Sequence, residues 1–198
     1  QRASARRQTL AVAADLTKAG LPDEAAFALL LGVRLVIADG NLDLAVTLMP
    51  ERPTGRLDHR LLLQLCWAEI ALKLGKRDDV LFEAETAFDV ERGPSTGLSP
   101  VPAGALYRRR LRDLALDVVV KRQDPTALFE FTERARVQRL KYAPPRPATE
   151  AIDLDQVRHA IGDRALVSFV TVWDELFALV VTADETRVMG FGPAEVIF

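Results

Sequence analysis

"ALVSFVTVWDELFALVVTADETRVMGFGP", residues 165–193, decides how this chain is read. β-Branched and aromatic residues crowd here into short runs split by acidic turns, whereas everything before runs in long helical periods. Strands are expected at about 165–172, 176–182 and 186–190. The turns "WDE" and "ADET" between them are short, which fits an antiparallel meander. On the first strand Leu166, Val170 and Val172 share one face, with Val167 and Phe169 on the other. The second strand is apolar almost throughout, from Leu176 to Val181. Strands apolar on both faces normally lie in a sheet covered on both sides. Two or three such strands alone are marginal in water. The meander is therefore expected to open a larger α/β or α+β domain whose remainder lies outside these residues.

Upstream, four breaks punctuate the chain: "KAGLPDEA", "ADGNLDLA", "KLGKRDDV" and "KRQDPTAL". In each, a Gly or polar residue ends one helix, and an Asp, or a Pro near the first turn, opens the next. This spacing predicts helices at about 4–19, 22–38, 41–49, 57–74, 77–91, 102–121 and 124–141. In the fourth, Leu61, Leu62, Leu65, Ala68, Ile70, Leu72 and Leu74 spread around most of the cylinder, so neighbours should pack on several sides. The fifth is one-sided, with Val80, Leu81, Ala84, Ala87 and Phe88 at three- and four-residue steps. Short links between such helices favour antiparallel hairpins.

Gly40 and Gly75 stand 35 residues apart, close to the tetratricopeptide period of about 34. A small or apolar residue follows each turn five places on: Ala25 after Gly20, Ala45 after Gly40, Val80 after Gly75. With Ala68, Gly75 and Ala87 in the third unit, the region resembles a degenerate tetratricopeptide array. It departs from that family in lacking the aromatic residue of the first helix, where Ala71 stands instead, and the terminal proline in register. "ERGPSTGLSPVPAG", 91–104, reads as a connector. "YAPPRPATE", 142–150, reads as a semi-rigid linker, because closely spaced prolines forbid a continuing helix. After it "DLDQVRHAIGD" predicts a short helix between an Asp153 N-cap and a Gly162 stop.

The 198 residues carry a net charge of −2, with almost half of them apolar (49%) and 27% charged. A pI near 5.8 gives no support to a nucleic-acid binder. A single cysteine, Cys66, excludes an internal disulfide framework and points to a reducing, cytoplasmic compartment. No apolar run approaches the ~18 residues of a membrane span.

"ALFEFTERARVQRL", 127–140, followed by "LDQVRHAIGDRALVSFVTVWDELFALVVTADETRVMGFGP", 154–193, resembles the opening of a CHAT domain. The likeness rests on an Ala/Glu/Arg-rich last helix, a proline-broken link, the step R-x-x-x-G-D-x-A-L-V-x-F, an apolar hairpin and a closing glycine. CHAT domains are caspase-like cysteine peptidase domains that commonly follow tetratricopeptide arrays, often in actinobacteria and cyanobacteria. The resemblance implies a catalytic His and a catalytic Cys beyond the last residue here, so no catalytic residue is carried over. Cys66 sits on an apolar helix ("LLLQLCWAEI"), and His59 and His159 also lie on helices.

Little other chemistry is written in the chain. Cys66 and His59 share a helix face but stand about two turns, roughly 10 Å, apart, too far for a thiolate–imidazole pair. No His/Cys/Asp/Glu cluster has zinc-like spacing, and "GFGPAE" lacks the context of a dinucleotide fingerprint. The strongest local charge is "YRRRLRD", 107–113, where Arg108, Arg109 and Arg112 can line a stripe for an acidic partner. A solvated face paired with nearby carboxylates is the commoner use of such a run.

The expectation is thus a mainly α protein in three parts. Residues 1–141 form a tetratricopeptide-like helical-hairpin superhelix, 142–151 a proline-rich linker, and 152–198 the truncated N-terminal portion of a CHAT-like α/β domain. The expected function is protein–protein interaction and regulation, without enzymatic activity, cofactor or metal in this chain. Expected partners are a protein or peptide, with neither nucleic acid nor membrane. The alternative is a stand-alone scaffold, homo-oligomeric through its helical surface or an exposed β edge.

Overall fold

The structure, a computed structural model, describes residues 2–50, 56–90, 102–141 and 151–196. Among these, eight helices precede a small antiparallel sheet: α1 (Arg2–Lys18), α2 (Pro22–Ala38), α3 (Leu42–Leu48), α4 (Leu57–Lys73), α5 (Arg77–Val90), α6 (Pro102–Lys121), α7 (Pro125–Lys141) and α8 (Leu154–Ile161). The strands are β1 (Leu166–Val172), β2 (Glu175–Val181) and β3 (Thr186–Pro193), in that spatial order. The mainly helical class and the C-terminal meander are as expected from the sequence.

The breaks work by the chemistry read from them. At Gly40 and Gly75 φ is +82° and +73°, the left-handed region that a Cβ disfavours. The chain then folds back so that Asn41 N–H donates to Val36 C=O, and Lys76 N–H to Ala71 C=O. The fourth break carries Gln123 in this conformation instead, with φ +54°, its side chain donating to Val120 C=O at 3.0 Å. Asn41 caps α3 by accepting from Leu44 N–H, and Asp124 accepts from Ala127 N–H at the start of α7. Asp153 and Gln156 form a reciprocal capping box on α8.

By its contacts the chain divides into two compact units, Gln1–Ala115 and Leu116–Phe198, the division falling within α6. The linker expected at 142–151 lies outside the described residues except for Ala151, as does the loop at 91–104 except for the start of α6.

In the first unit, cross-helix contacts fix the helix directions. Arg6 reaches Asp39 and Leu10 lies against Gly32, so α1 and α2 are antiparallel. Phe27 meets His59, Leu30 meets Cys66 and Arg34 meets Glu69, so α2 and α4 run parallel. Gly104 lies against Leu61, and Arg110 approaches Glu69 at 3.8 Å, so the first part of α6 is parallel to α4 as well. The core of this unit gathers Leu30, Val33, Val36 and Ile37 with Ala45, Leu62, Leu63, Cys66 and Ile70. Each large aliphatic side chain buried there contributes about 1.5–3 kcal/mol. Helix α4 is packed on several sides as its sequence requires, although Leu74 at its end is half exposed. On α5, Val80, Ala84 and Ala87 are buried. The side chain of Phe88 lies outside those described.

In the second unit, α7 packs on β2 and β3 and touches α8. Glu133 on α7 accepts from the Ile152 N–H at 3.2 Å and pairs with Arg136, anchoring the chain as it enters α8. Arg158 on α8 donates to the Thr186 hydroxyl at 2.8 Å. Strand β3 runs past Gly190 to Pro193, beyond the expected limit. A bulge lets Leu176 pair with Gly192 and Phe177 with Gly190, leaving Phe191 as the extra residue.

The register makes the two faces of the sheet unequal, and part of its apolar surface has no cover among the described residues. Val170, Val172, Leu179 and Val181 are buried. On the opposite face Leu176 and Ala178 are buried, but Val167 is 47% exposed, Phe169 63%, Met189 38% and Phe191 48%. The alternating pattern of β1 and β2 is apolar on both sides, and so carries no mark of which side the helices would take.

Candidate functional site

A concavity lies within the first unit. A cavity of about 590 Å³ is walled by α1 and α2 and closed at one end by the first turn of α4. Ala5, Gln8, Thr9, Val12 and Leu16 line it from α1, and Glu24, Phe27, Ala28 and Leu31 from α2. Both sets recur at three- and four-residue steps, so each is one stripe of a helix turned toward the same space. Val12 is 50% exposed and Leu31 36%, so the apolar floor is open to solvent. Arg56, Asp58 and His59 supply the polar end.

That end is unusual for a buried position. Asp58 and His59 are 6% and 3% exposed, the polar side chains so buried among the described residues. Asp58 is satisfied: Arg56 donates to both of its oxygens, at 3.2 and 3.1 Å. His59 is not. Its ring stacks on Phe27 with centroids 4.6 Å apart and planes at 20°. Its Nε2 stands 4.0 Å from Asp58 Oδ2, beyond hydrogen-bond length. Its Nδ1 is buried without a partner. Burial lowers the imidazole pKa, Arg56 acts in the same direction, and Asp58, Asp23 and Glu24 oppose them.

The arginines singled out in the sequence lie on α6. Arg112 donates to Asp113 Oδ1 at 2.9 Å, and Arg109 stands 3.8 Å from Asp113 Oδ2, so both lean on one carboxylate. Arg108, on the same stripe, is half-buried and also engaged. Their neighbour Arg110 joins a second network, in which Arg34 forks onto Glu69 at 3.2 and 3.0 Å. The run therefore spends much of its charge on acids of its own unit.

Cys66 is fully buried, with its thiol donating to Leu30 C=O at 3.7 Å. Burial pushes its pKa far up, and Glu69 adds to the shift. A thiol so held is a core group. Among the described residues no group of three or more His, Cys, Asp and Glu side chains could hold a metal ion. Nor is any described helix long and apolar enough to cross a membrane.

The sequence did not reveal the cavity, because its walls come from residues 5–16, 24–31 and 56–59, each of which reads as ordinary amphipathic helix. One signal was present: "LDHR" places three ionisable residues at the head of a helix otherwise apolar on most sides.

No known protein family matches the chain, and no curated protein or solved structure is significantly similar to it.

Proposed function

We propose that this chain is the protein-interaction and regulatory region of a CHAT-type, caspase-like cysteine peptidase, with the catalytic dyad outside these residues. The observation that carries the interaction reading is the solvent-open apolar cavity between α1 and α2 with its polar end at Asp58 and His59. Stacked helical hairpins of the tetratricopeptide kind offer such concave surfaces to peptides. The peptidase reading rests on the resemblance of residues 127–140 and 154–193. The apolar sheet face at Val167, Phe169, Met189 and Phe191 supports it, because further secondary structure of a larger domain would cover that face. Cys66, His59 and His159 have no catalytic part in this reading, and the compartment it implies is the cytoplasm.

The test uses a protein in which this chain is followed by the His and Cys of a CHAT domain. Cleavage of a peptide substrate should depend on a partner that engages the helical unit. Substituting Val12→Asp in the cavity should uncouple the two while leaving basal cleavage in place. Partner-independent cleavage, unchanged by the substitution, overturns the regulatory reading.

A second reading, a self-assembling scaffold, is favoured by the outer edges of β1 and β3, which have no strand partner among the described residues. It requires concentration-dependent self-association by light scattering, and a strict monomer rules it out.

A further inference from the structure

We propose that the α1/α2/α4 cavity binds an extended peptide segment presenting an apolar side chain next to a basic one. This rests on the interaction reading above and names the chemistry of the partner.

Three observations point to that occupant. First, the floor is apolar and elongated. Val12 and Leu16 face Phe27, Ala28 and Leu31. The stripe from Ala5 to Leu16 spans roughly 16 Å at 1.5 Å per residue, the length of about five residues of extended chain. Second, the charge at the polar end is unbalanced. Arg56 is the lining cation and is already forked onto Asp58. Glu24, also lining the cavity, has no ion pair among the described residues, and Asp23 precedes it on the same exposed turn. The remaining field is negative and calls for a cation, a lysine or arginine of the bound segment. Third, His59 lines the cavity, is nine-tenths buried and more, and keeps an unpartnered Nδ1. A buried polar atom left unsatisfied weakens the free protein, and a ligand carrying a hydrogen-bonding group relieves it. An acidic peptide is disfavoured by Glu24 and Asp23, and a purely apolar one leaves the polar end unanswered.

The probe is a positional-scanning library of acetylated hexapeptides, selected on the full chain. The expected result is enrichment of Leu, Ile or Phe adjacent to Lys or Arg, with affinity falling as salt rises. Glu24→Lys, on an exposed helix turn, should invert the charge preference toward Asp and Glu while circular dichroism stays unchanged. His59→Phe keeps the stacking surface against Phe27 and removes the orphaned nitrogen, so it should leave the melting temperature equal or higher yet weaken the selected peptides about tenfold. A role for His59 in packing alone would leave binding untouched. Enrichment that survives Val12→Asp places the peptide elsewhere, overturning this proposal while the interaction reading stands. No enrichment at all overturns both.

Discussion

Phe27 and His59 stack ring on ring, 4.6 Å between centroids, and so tie the N-terminal parts of two parallel helices, α2 and α4. The contact leaves the imidazole only 3% exposed. Burial therefore lowers its pKa below the ordinary 6.5, despite the nearby carboxylates of Asp58, Asp23 and Glu24. The sign follows. In the unfolded chain His59 takes up a proton near its ordinary pKa, while the folded state resists protonation to lower pH. Stability from this residue is complete above about pH 6.5 and is lost as pH falls through the folded value. Urea midpoints of the wild type should drop between pH 7.5 and 5 more steeply than those of His59→Phe. Parallel curves would remove the histidine from the account.

Glu83 on α5 works in the opposite direction. Burial, reinforced by Asp79, pushes its carboxyl up to about 7 from the usual 4.5. The folded protein thus holds a proton that the unfolded chain has released, and stability declines as pH rises from 4.5 to about 7. Glu83→Gln should match the wild type near pH 4 and exceed it at pH 8. Equal melting temperatures at pH 8 would show that the carboxylate finds enough water.

These two sites mark how far the sequence carries. Helix limits were legible because Gly20, Gly40 and Gly75 occupy backbone turns that other residues resist, and because Pro and Asp sit where a first turn tolerates or needs them. The meander was legible from alternation and short turns. The buried state of Asp58 and the half-buried state of Glu83 were not, since a charged residue in a helical period reads as solvent-facing until its neighbours are known. Nor was the grouping of α7 with the C-terminal sheet, which depends on contacts made across a proline-rich break. The inequality of the sheet faces was hidden by their shared apolar character.

The Arg34–Glu69 fork joins α2 to α4 farther along the same interface, with the Glu69 side chain only 14% exposed. Removing one partner of a partly buried pair leaves the other charge poorly solvated. Glu69→Ala should cost about 2–3 kcal/mol, and the double replacement Arg34→Met with Glu69→Leu considerably less. Urea denaturation of the two variants checks the asymmetry, and an equal loss in both would assign the effect to packing.

Gly32 sets the approach of α1 to α2. A Cβ there would stand 3.0 Å from Leu10 Cδ2, on the face where the hairpin closes. Gly32→Ala gains about 0.5–1 kcal/mol of helix preference and requires Leu10 to shift. Gly32→Val has no such room and should cost about 1–3 kcal/mol by overpacking. Hydrogen exchange should then accelerate in α1 more than in α4. Uniform acceleration across both helices would mean that α1 does not separate first.

Phe169 and Phe191 meet at 6.2 Å on the more exposed sheet face, flanked by the exposed Val167 and Met189. Contiguous apolar side chains of this size seldom stay in water unless something is to cover them. Because Phe169 is 63% exposed, replacing it removes little buried area. Phe169→Ser should change the melting temperature by no more than a few degrees, yet it should reduce binding of a dye that reports exposed apolar surface. If the face mediates self-association, the same variant shifts sedimentation toward monomer. If instead the face is reserved for the rest of a CHAT-like domain, adding that domain should abolish dye binding in the wild type. Dye binding that persists in the extended protein and is indifferent to Phe169→Ser would show that this face has no covering partner.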